Sequence, residues 1–128
     1  MNYVQLLEKK FGAIGFDAKF IIDTGRNGVT DMRDQCSNWC NVRDAGVGHF
    51  PTTNTGHSKI DAFLWLKTPG ESDGCTEILP DGTNCPRFDT MCASDDSLGS
   101  SSGEPRAPEA GHWFDYQIKQ LAQNADFN

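Results

Sequence analysis

Three charged side chains follow an apolar segment at close spacing, and they are the residues of this chain best suited to chemistry. Lys67, Glu71 and Asp73 come directly after residues 60–66, which are nearly all apolar. An ammonium group and two carboxylates offer hydrogen-bond donors and acceptors to a polar ligand such as a polyol. α/β barrel enzymes present charged groups in this way at the C-terminal ends of their strands, where substrates bind. We therefore predict that the functional site includes residues 67–74.

The elements that position these residues are predicted from periodicity and turn signals. Apolar residues within 2–14 recur at helical spacing, and Gly15 stands at the C-cap position of that helix. Residues 18–22 form a short β-prone segment that ends in the turn-rich stretch 23–28. Residues 60–66 form a second strand, and their apolar run is typical of a parallel strand covered on both faces. A helix, a strand and a polar loop in this order indicate an α/β fold.

Two long segments lack periodicity. Residues 28–58 are rich in Gly, Asn, Asp and Thr, which predicts a long functional loop that needs anchoring. Residues 99–108 are rich in Gly, Ser and Pro, a composition that alone would indicate an interdomain linker. Because only 20 residues follow, we expect instead a surface loop that leads into a closing helix. The apolar stripe of that helix consists of Phe114, Ile118, Leu121, Ala122 and Ala125.

The bulk properties exclude several classes of partner. The chain has 128 residues, whereas a typical α/β barrel has roughly 250, so a barrel built from this chain would be incomplete. Its net charge is −7, and it has no block of Lys or Arg, so the electrostatic footprint of a protein that binds nucleic acid or anionic membrane is absent. No apolar run reaches about 18 residues, so no membrane span is predicted. The five cysteines indicate an oxidising compartment, although residues 1–4 do not resemble an export signal.

Four separately placed motifs resemble glycoside hydrolase family 6 and occur there in the same order. They are Asn-Trp-Cys-Asn-Val at 38–42, Pro-Thr-Thr-Asn-Thr-Gly at 51–56, the run 61–74, and Pro-Glu-Ala-Gly-His-Trp-Phe at 108–114. The resemblance implies that residues 1–128 are the C-terminal portion of a catalytic domain, part of a distorted (β/α) barrel whose N-terminal portion is absent. It further implies a secreted, monomeric cellulase of the cellobiohydrolase or endoglucanase type that hydrolyses β-1,4-glucosidic bonds by inversion without a cofactor.

The resemblance also assigns roles to individual residues. Asp73, in the motif Gly-Glu-Ser-Asp-Gly, takes the position of the catalytic base, whereas the general acid of the family lies on an earlier strand and has no counterpart here. Lys67 and Glu71 take positions that hold sugar hydroxyls, and Trp39 takes that of a tryptophan stacked on a glucosyl ring. From the residues alone, Asp73 could equally be a turn residue before Gly74.

Lys67 and Glu71 likewise have a structural alternative, because the two side chains could form a salt bridge across the loop. The remaining tryptophans are expected to be structural: Trp65 lies in the strand and is assigned to the core, and Trp113, at the start of the last helix, is assigned to closing the barrel.

The cysteines need a separate account, because five cannot all pair within one chain. Relatives in the family bridge the cysteine after the stacking tryptophan either to a position resembling Cys92 or to one resembling Cys75. The pairing that this resemblance favours is Cys40 with Cys92 and Cys75 with Cys85, the second closing an insertion at 76–84. Cys36 is left over, either free or paired outside the chain. A zinc site is the alternative, but no Cys and His spacing supports it, and no metal is expected.

Two functions remain open from the sequence. The first is that of a cellulase portion that binds cellulose or cello-oligosaccharide and is nearly inactive alone, because general acid assistance is worth roughly 10²- to 10⁴-fold. The second is that of a non-catalytic carbohydrate-binding or degenerate interaction module.

Overall fold

The structure is a computed structural model that describes residues 3–127. Its elements in chain order are helix α1 (Tyr3–Gly12), strand β1 (Phe20–Asp23), strand β2 (Ile60–Leu64), a 3₁₀ turn (Thr90–Ala93) and helix α2 (Asp115–Gln123). β1 and β2 pair in parallel, and across the described range they form a sheet of two strands. The mixed α/β content agrees with the predicted class, and the sheet is only a part of what a barrel contains.

Helix α1 ends two residues earlier than the periodicity predicts. Lys9 and Lys10 occupy its last turn, where cations favour the negative end of the helix dipole. The predicted C-cap residue, Gly15, has a φ of 78°, a left-handed conformation that glycine adopts without steric cost. Within α1 only Val4 is buried, so the helix covers little of its own apolar surface.

The sheet is less covered than its sequence predicts. β2 ends at Leu64 rather than at residue 66, and its five residues are exposed or partly buried, so the expectation of a strand covered on both faces is wrong for this structure. In β1 the residues alternate between partly buried and exposed, and Ile21 is 53% exposed. The reason is that, among residues 3–127, neither α-helix packs extensively on the sheet.

The apolar core lies in the irregular part of the chain. One cluster consists of Ala45, Val47 and Leu121, and a second of Leu98, Ala107 and Phe114. Trp65 packs against the first cluster with part of its surface exposed, while its indole N–H donates to the His49 carbonyl at 2.9 Å. The predicted stripe is correct at Phe114 and Leu121, which are buried, and at Ile118 and Ala125, which pack against the first cluster, whereas Ala122 is exposed.

The long loop between β1 and β2 is anchored by the C-terminal tail. The Val47 amide donates to Leu121 at 3.0 Å, and the Asp126 amide donates back to Val47 at 2.8 Å. Gly46 allows this approach, because a Cβ there would overlap the Asn124 carbonyl. The loop thus obtains from α2 the packing that its own sequence does not supply.

The Gly- and Ser-rich stretch 99–108 is a structured surface loop, as expected, and not an extended linker. The Arg43 guanidinium forms a salt bridge with Glu104 and donates to the Ser97 carbonyl at 2.9 Å. The carboxylate of Glu104 also accepts from the Gly99 amide at 2.9 Å. Along residues 3–127 no helix is long and apolar enough to cross a membrane.

Candidate functional site

The loop 67–74 follows β2 and is held at its start and in its middle by hydrogen bonds. At its start, the Lys67 amide donates to Asp23 Oδ2 at 3.1 Å, which joins the ends of the two strands. In its middle, the Phe114 amide donates to Gly70 at 2.8 Å, and the Ser72 amide donates to His112 at 2.8 Å. The segment that precedes α2 therefore fixes the loop from outside the sheet.

Asp73 is the most constrained side chain of this loop. Its Oδ2 accepts from Arg26 Nη1 at 2.6 Å and from the Asn41 amide at 2.8 Å. Its Oδ1 lies 3.3 Å from the Lys67 ammonium. The side chain keeps 13% of its surface exposed, so the carboxylate is sheltered but reachable. These contacts are all with donors, which suits an ionised carboxylate because it only accepts hydrogen bonds.

Asn41 forms hydrogen bonds with both the backbone and the side chain of Asp73. It is fully buried, and its φ of 43° lies in the left-handed region that asparagine tolerates better than most residues. Its Oδ1 accepts from the Asp73 backbone amide at 2.7 Å, while the Asn41 backbone amide donates to the Asp73 carboxylate. The side-chain amide also donates to Gly74 at 2.8 Å. This reciprocal set fixes both the backbone and the side chain of Asp73.

Lys67 lies beside Asp73, Glu71 lies beside Lys67, and both are more exposed than Asp73. Their side chains are 36% and 39% exposed, with the ammonium 3.8 Å from Glu71 Oε2. The structure therefore contains the salt bridge named above as the structural alternative, and an exposed pair at this distance contributes under about 1 kcal/mol. Both groups can exchange this weak contact for hydrogen bonds to a ligand.

Arg26 and Gln117 are site residues that the sequence patterns did not single out. Besides Asp73, the Arg26 guanidinium contacts the carbonyls of Pro69, at 3.1 Å, and Glu71. Gln117 is fully buried on α2; with its amide oriented to satisfy its neighbours, it accepts from both Arg26 terminal nitrogens at 3.2 Å and donates to Asn41 Oδ1 at 3.3 Å. One signal was available: Arg26 follows β1 as Lys67 follows β2, and the C-terminal ends of parallel strands share one edge.

Trp39 lies on a pocket next to this network. The pocket has a volume of about 440 Å³, and its wall includes Trp39, Met32, Cys36 and Arg26. The indole is 47% exposed, so it offers an aromatic face to a ligand. Arg26 belongs both to this wall and to the contacts of Asp73, which makes it the link between the two parts of the candidate site.

The segment that carries Trp39 is oriented by a buried carboxylate. Asp96 accepts from Asn38 Nδ2 at 2.6 Å and from the Asp34 amide at 2.9 Å. The hydrogen bond from Asn38 is the main reason why the pKa of Asp96 is lowered from its usual value. The contact sets the backbone directly before Trp39, which follows Asn38 in sequence.

The disulfides join Cys40 to Cys92 and Cys75 to Cys85, the same pairing that the resemblance implies. The first lies directly behind the loop of Asp73, since a Cβ on Gly74 would meet Cys92 Sγ at 2.7 Å. Cys36 is free and exposed on the pocket wall. Within the range 3–127, no group of three or more His, Cys, Asp or Glu residues is arranged to hold a metal ion.

Trp113 does not begin the last helix, as the sequence predicted, because α2 begins two residues later. In residues 3–127 it is 58% exposed, and its role in closing a barrel stays a prediction. Its indole lies against Gly70, where any Cβ would overlap the ring. The physical reason is that Trp113 pairs with Glu71 as an isolated antiparallel bridge, which directs its ring onto the loop and not into the interior.

The comparisons with known proteins place this arrangement in a family context. The family model described as "Glycosyl hydrolases family 6" matches residues 1–125. Exoglucanase 3 of Agaricus bisporus is 43% identical over 98% of this chain and 26% of its own length. The 1,4-beta-D-glucan cellobiohydrolase C of Emericella nidulans is 45% identical over 98% of this chain and 25% of its own. The chain thus spans about a quarter of the curated relatives it matches.

Solved structures agree with these sequence relatives. CcCel6C, a glycoside hydrolase family 6 enzyme from Coprinopsis cinerea, superposes with a TM-score of 0.82 at 39% identity, over 97% of this chain and 31% of its own. The catalytic core of the cellobiohydrolase Cel6A from Chaetomium thermophilum gives a TM-score of 0.81 at 43% identity, over 97% and 32%. The two-stranded structure is therefore similar to one part of a larger domain.

Proposed function

This chain belongs to glycosyl hydrolases family 6, and from that premise we propose that residues 1–128 form the C-terminal portion of a catalytic domain that hydrolyses β-1,4-glucosidic bonds in cellulose or related β-glucans. The observation that carries the proposal is the network that fixes Asp73 between Arg26, Asn41 and Lys67 at the ends of β1 and β2. One solved relative, Cel6A of Humicola insolens, is described as a complex with glucose and cellotetraose. That description supports a β-glucan as ligand.

In this proposal Asp73 is the proton acceptor of an inverting hydrolysis. Inversion uses two carboxyl groups about 6.5–9.5 Å apart, one of which activates the attacking water while the other protonates the leaving oxygen. Oδ2 of Asp73 is occupied by Arg26 and Asn41, whereas Oδ1 has only the longer contact with Lys67. Oδ1 is therefore the oxygen that we assign to the water. The second carboxyl group is supplied from outside residues 1–128.

The other three residues bind the glucan. Trp39 offers its exposed indole face to the C–H surface of a glucosyl ring, a contact that suits a large flat apolar side chain. Lys67 and Glu71 give donors and acceptors to the hydroxyls, and their mutual contact of 3.8 Å is weak enough to be exchanged. The two disulfides fit a secreted enzyme, since such bonds persist in oxidising compartments. The completed domain is expected to be a monomer.

A chimera tests this proposal. Residues 1–128 replace the matching C-terminal segment of Agaricus bisporus exoglucanase 3, and hydrolysis of a soluble cellulose derivative is measured. We expect the chimera to be active and Asp73→Asn to lower kcat by roughly 10²- to 10⁴-fold. The matched control is Asp61→Asn, an exposed carboxylate on β2, which should leave kcat unchanged. An Asp73→Asn chimera with full activity would rule out the base assignment.

The chain alone tests the second part of the proposal. Incubated with the same substrate, purified residues 1–128 should show almost no turnover, because the chain lacks the carboxyl group that protonates the leaving oxygen. Turnover close to that of the chimera would contradict the division of the site between this chain and upstream residues.

A second candidate function is that of a non-catalytic carbohydrate-binding module. The exposed indole of Trp39 on a pocket of about 440 Å³, together with a single assigned catalytic carboxylate, favours it. This candidate predicts cooperative unfolding of the isolated chain and cello-oligosaccharide binding that is lost in Trp39→Ala, with a chimera that stays inactive. Chimera activity therefore separates the two functions.

A further inference from the structure

A second pocket lies on the outer side of the loop 67–74. Its volume is about 390 Å³, which is within the range of roughly 300–1,000 Å³ that is usual for small-ligand sites. Its walls come from three separate segments: Pro80 of the insertion closed by the Cys75–Cys85 disulfide, residues 105–108, and the start of α2. None of these lining residues belongs to the pocket of Trp39.

Trp113 forms the aromatic wall of this pocket and is held in place before any ligand binds. Its ring rests on Gly70, and the backbone on both sides of it is fixed by the hydrogen bonds from Phe114 to Gly70 at 2.8 Å and from Ser72 to His112 at 2.8 Å. The indole nevertheless keeps 58% of its surface exposed. A rigid exposed tryptophan provides contact area at low entropic cost, and its flat apolar face suits stacking on a sugar ring.

The rim of the pocket favours a neutral polar ligand. Lys119 and Asp115 form a salt bridge of 2.5 Å, so their charges compensate each other, and Arg106 adds one cation beside them. Tyr116 also lines the wall, and its hydroxyl accepts from Gln120 Nε2 at 3.1 Å. The pocket thus has an apolar wall, with hydrogen-bond donors and acceptors at its edge. Such a surface matches the C–H faces and hydroxyl groups of a sugar better than it matches an ion.

We propose that this pocket, formed by Trp113, Pro80, Arg106, Tyr116 and Lys119, is a second binding site for a β-1,4-glucan chain, separate from the subsites at Trp39. The choice of ligand rests on the proposed function. The position of the pocket next to the candidate site supports this choice. Trp113 contacts Gly70 and pairs with Glu71, and both residues belong to the loop 67–74 that we propose binds the glucan. A glucan chain bound here is retained on the protein outside the cleavage site.

The three tryptophans give a site-specific test. The indole N–H signals of Trp39, Trp65 and Trp113 are followed by NMR in ¹⁵N-labelled chain 1–128 while cellohexaose is added. We expect the Trp113 signal to shift and saturate, and to do so equally in Trp39→Ala, while Trp65, which packs on the core cluster, stays in place. Replacing Trp113 by Ala should weaken the cellohexaose binding that remains in Trp39→Ala by about 3- to 10-fold.

Two rim variants keep the test decisive where Trp113→Ala unfolds the chain. Arg106→Ala and Pro80→Gly change exposed residues of the pocket wall and should weaken the Trp113 response without moving that of Trp39. A Trp113 signal that does not respond to cellohexaose, or that responds only when Trp39 is intact, overturns the proposal. Failure of the Trp39 response alone contradicts the proposed function and leaves this second site standing.

The chimera decides whether the pocket stays open in a complete domain. In the chimera, Trp113→Ala and Arg106→Ala should each lower the affinity for cellohexaose by about the same factor as in the isolated chain. Loss of that dependence in the chimera would show that upstream residues cover the pocket, and would overturn the assignment.

Discussion

The regular half of this molecule and its irregular half differ in how each buries its side chains. α1, β1 and β2 have hydrogen-bonded backbones, yet large apolar residues around them face outward, among them Ile14, Phe16 and Ile21. The loops around the site have almost no helix or strand, yet they contain both disulfides and, apart from Leu121 of α2, both core clusters. Outside α2, which buries Gln117 and Leu121, the regular elements of this chain are therefore its less buried part.

The difference shows which part of the chain is stabilised by contacts within residues 3–127. In the irregular half, disulfides and side-chain hydrogen bonds take the place of hydrogen bonds between strands. The Cys40–Cys92 disulfide packs against the loop of Asp73, and Asn41 accepts a hydrogen bond from the Asp73 amide. In the regular half, the sheet has its hydrogen bonds, but in residues 3–127 neither α-helix packs extensively on it. The irregular half should then tolerate substitutions poorly, and the regular half should tolerate them well.

The largest expected effect is the loss of the Cys40–Cys92 disulfide. The bond closes 52 residues of chain, so Cys40→Ser with Cys92→Ser should lower the free energy of unfolding by about 4 kcal/mol. Urea unfolding followed by far-UV circular dichroism measures it. Cys36→Ser is the matched control, because that thiol is free and exposed. A loss under about 1 kcal/mol would show that the irregular half does not depend on this bond.

A smaller loss is expected from Asn41→Ala. The substitution leaves the Asp73 amide and the Gly74 carbonyl without their buried partner and keeps a positive φ that alanine disfavours. We expect a decrease of about 2–3 kcal/mol in the free energy of unfolding. Asn54→Ala, in an exposed turn, is the control and should change stability by under about 0.5 kcal/mol. Equal losses of stability at the two positions would contradict the claim that the buried network stabilises the chain more than the exposed loop does.

The two halves also differ in how far their sequences predict them. α1, both strands and α2 were predicted from helical spacing and from β-prone or apolar runs, because local sequence decides those elements. The network of Asp73 does not, since Arg26, Asn41 and Gln117 come from three distant segments and meet only through tertiary packing. Cover on β2 was wrongly predicted for the same reason: a run of apolar residues shows what a strand can bury, not which neighbour is present.

A modest and pH-dependent effect is expected from Glu104→Gln. The hydrogen bond from Arg43 lowers the pKa of Glu104 below its usual value, so the carboxylate contributes stability above the pKa it has in the unfolded chain and loses it as pH falls through the lower pKa of the folded state. The variant should be less stable at pH 7 by under about 1 kcal/mol. The difference should shrink below about pH 4.5. Thermal unfolding at pH 7 and at pH 3 measures both values, and a constant difference would contradict the assignment.

The smallest change in the free energy of unfolding is expected for a substitution on the sheet. Its size can be compared directly with the cost of a substitution in the irregular half. In the isolated chain, Ile21→Thr keeps a β-branched residue at an exposed strand position, so stability should change by under about 0.5 kcal/mol. Val47→Ala, in the buried cluster of the long loop, should cost about 2 kcal/mol under the same conditions. In the chimera, where upstream residues complete the domain, the cost of Ile21→Thr should rise to about 1 kcal/mol or more, because a covered isoleucine then becomes a buried hydroxyl. If the cost stays near zero there, the exposed face of β1 is a true surface of the domain and the regular half needs no partner.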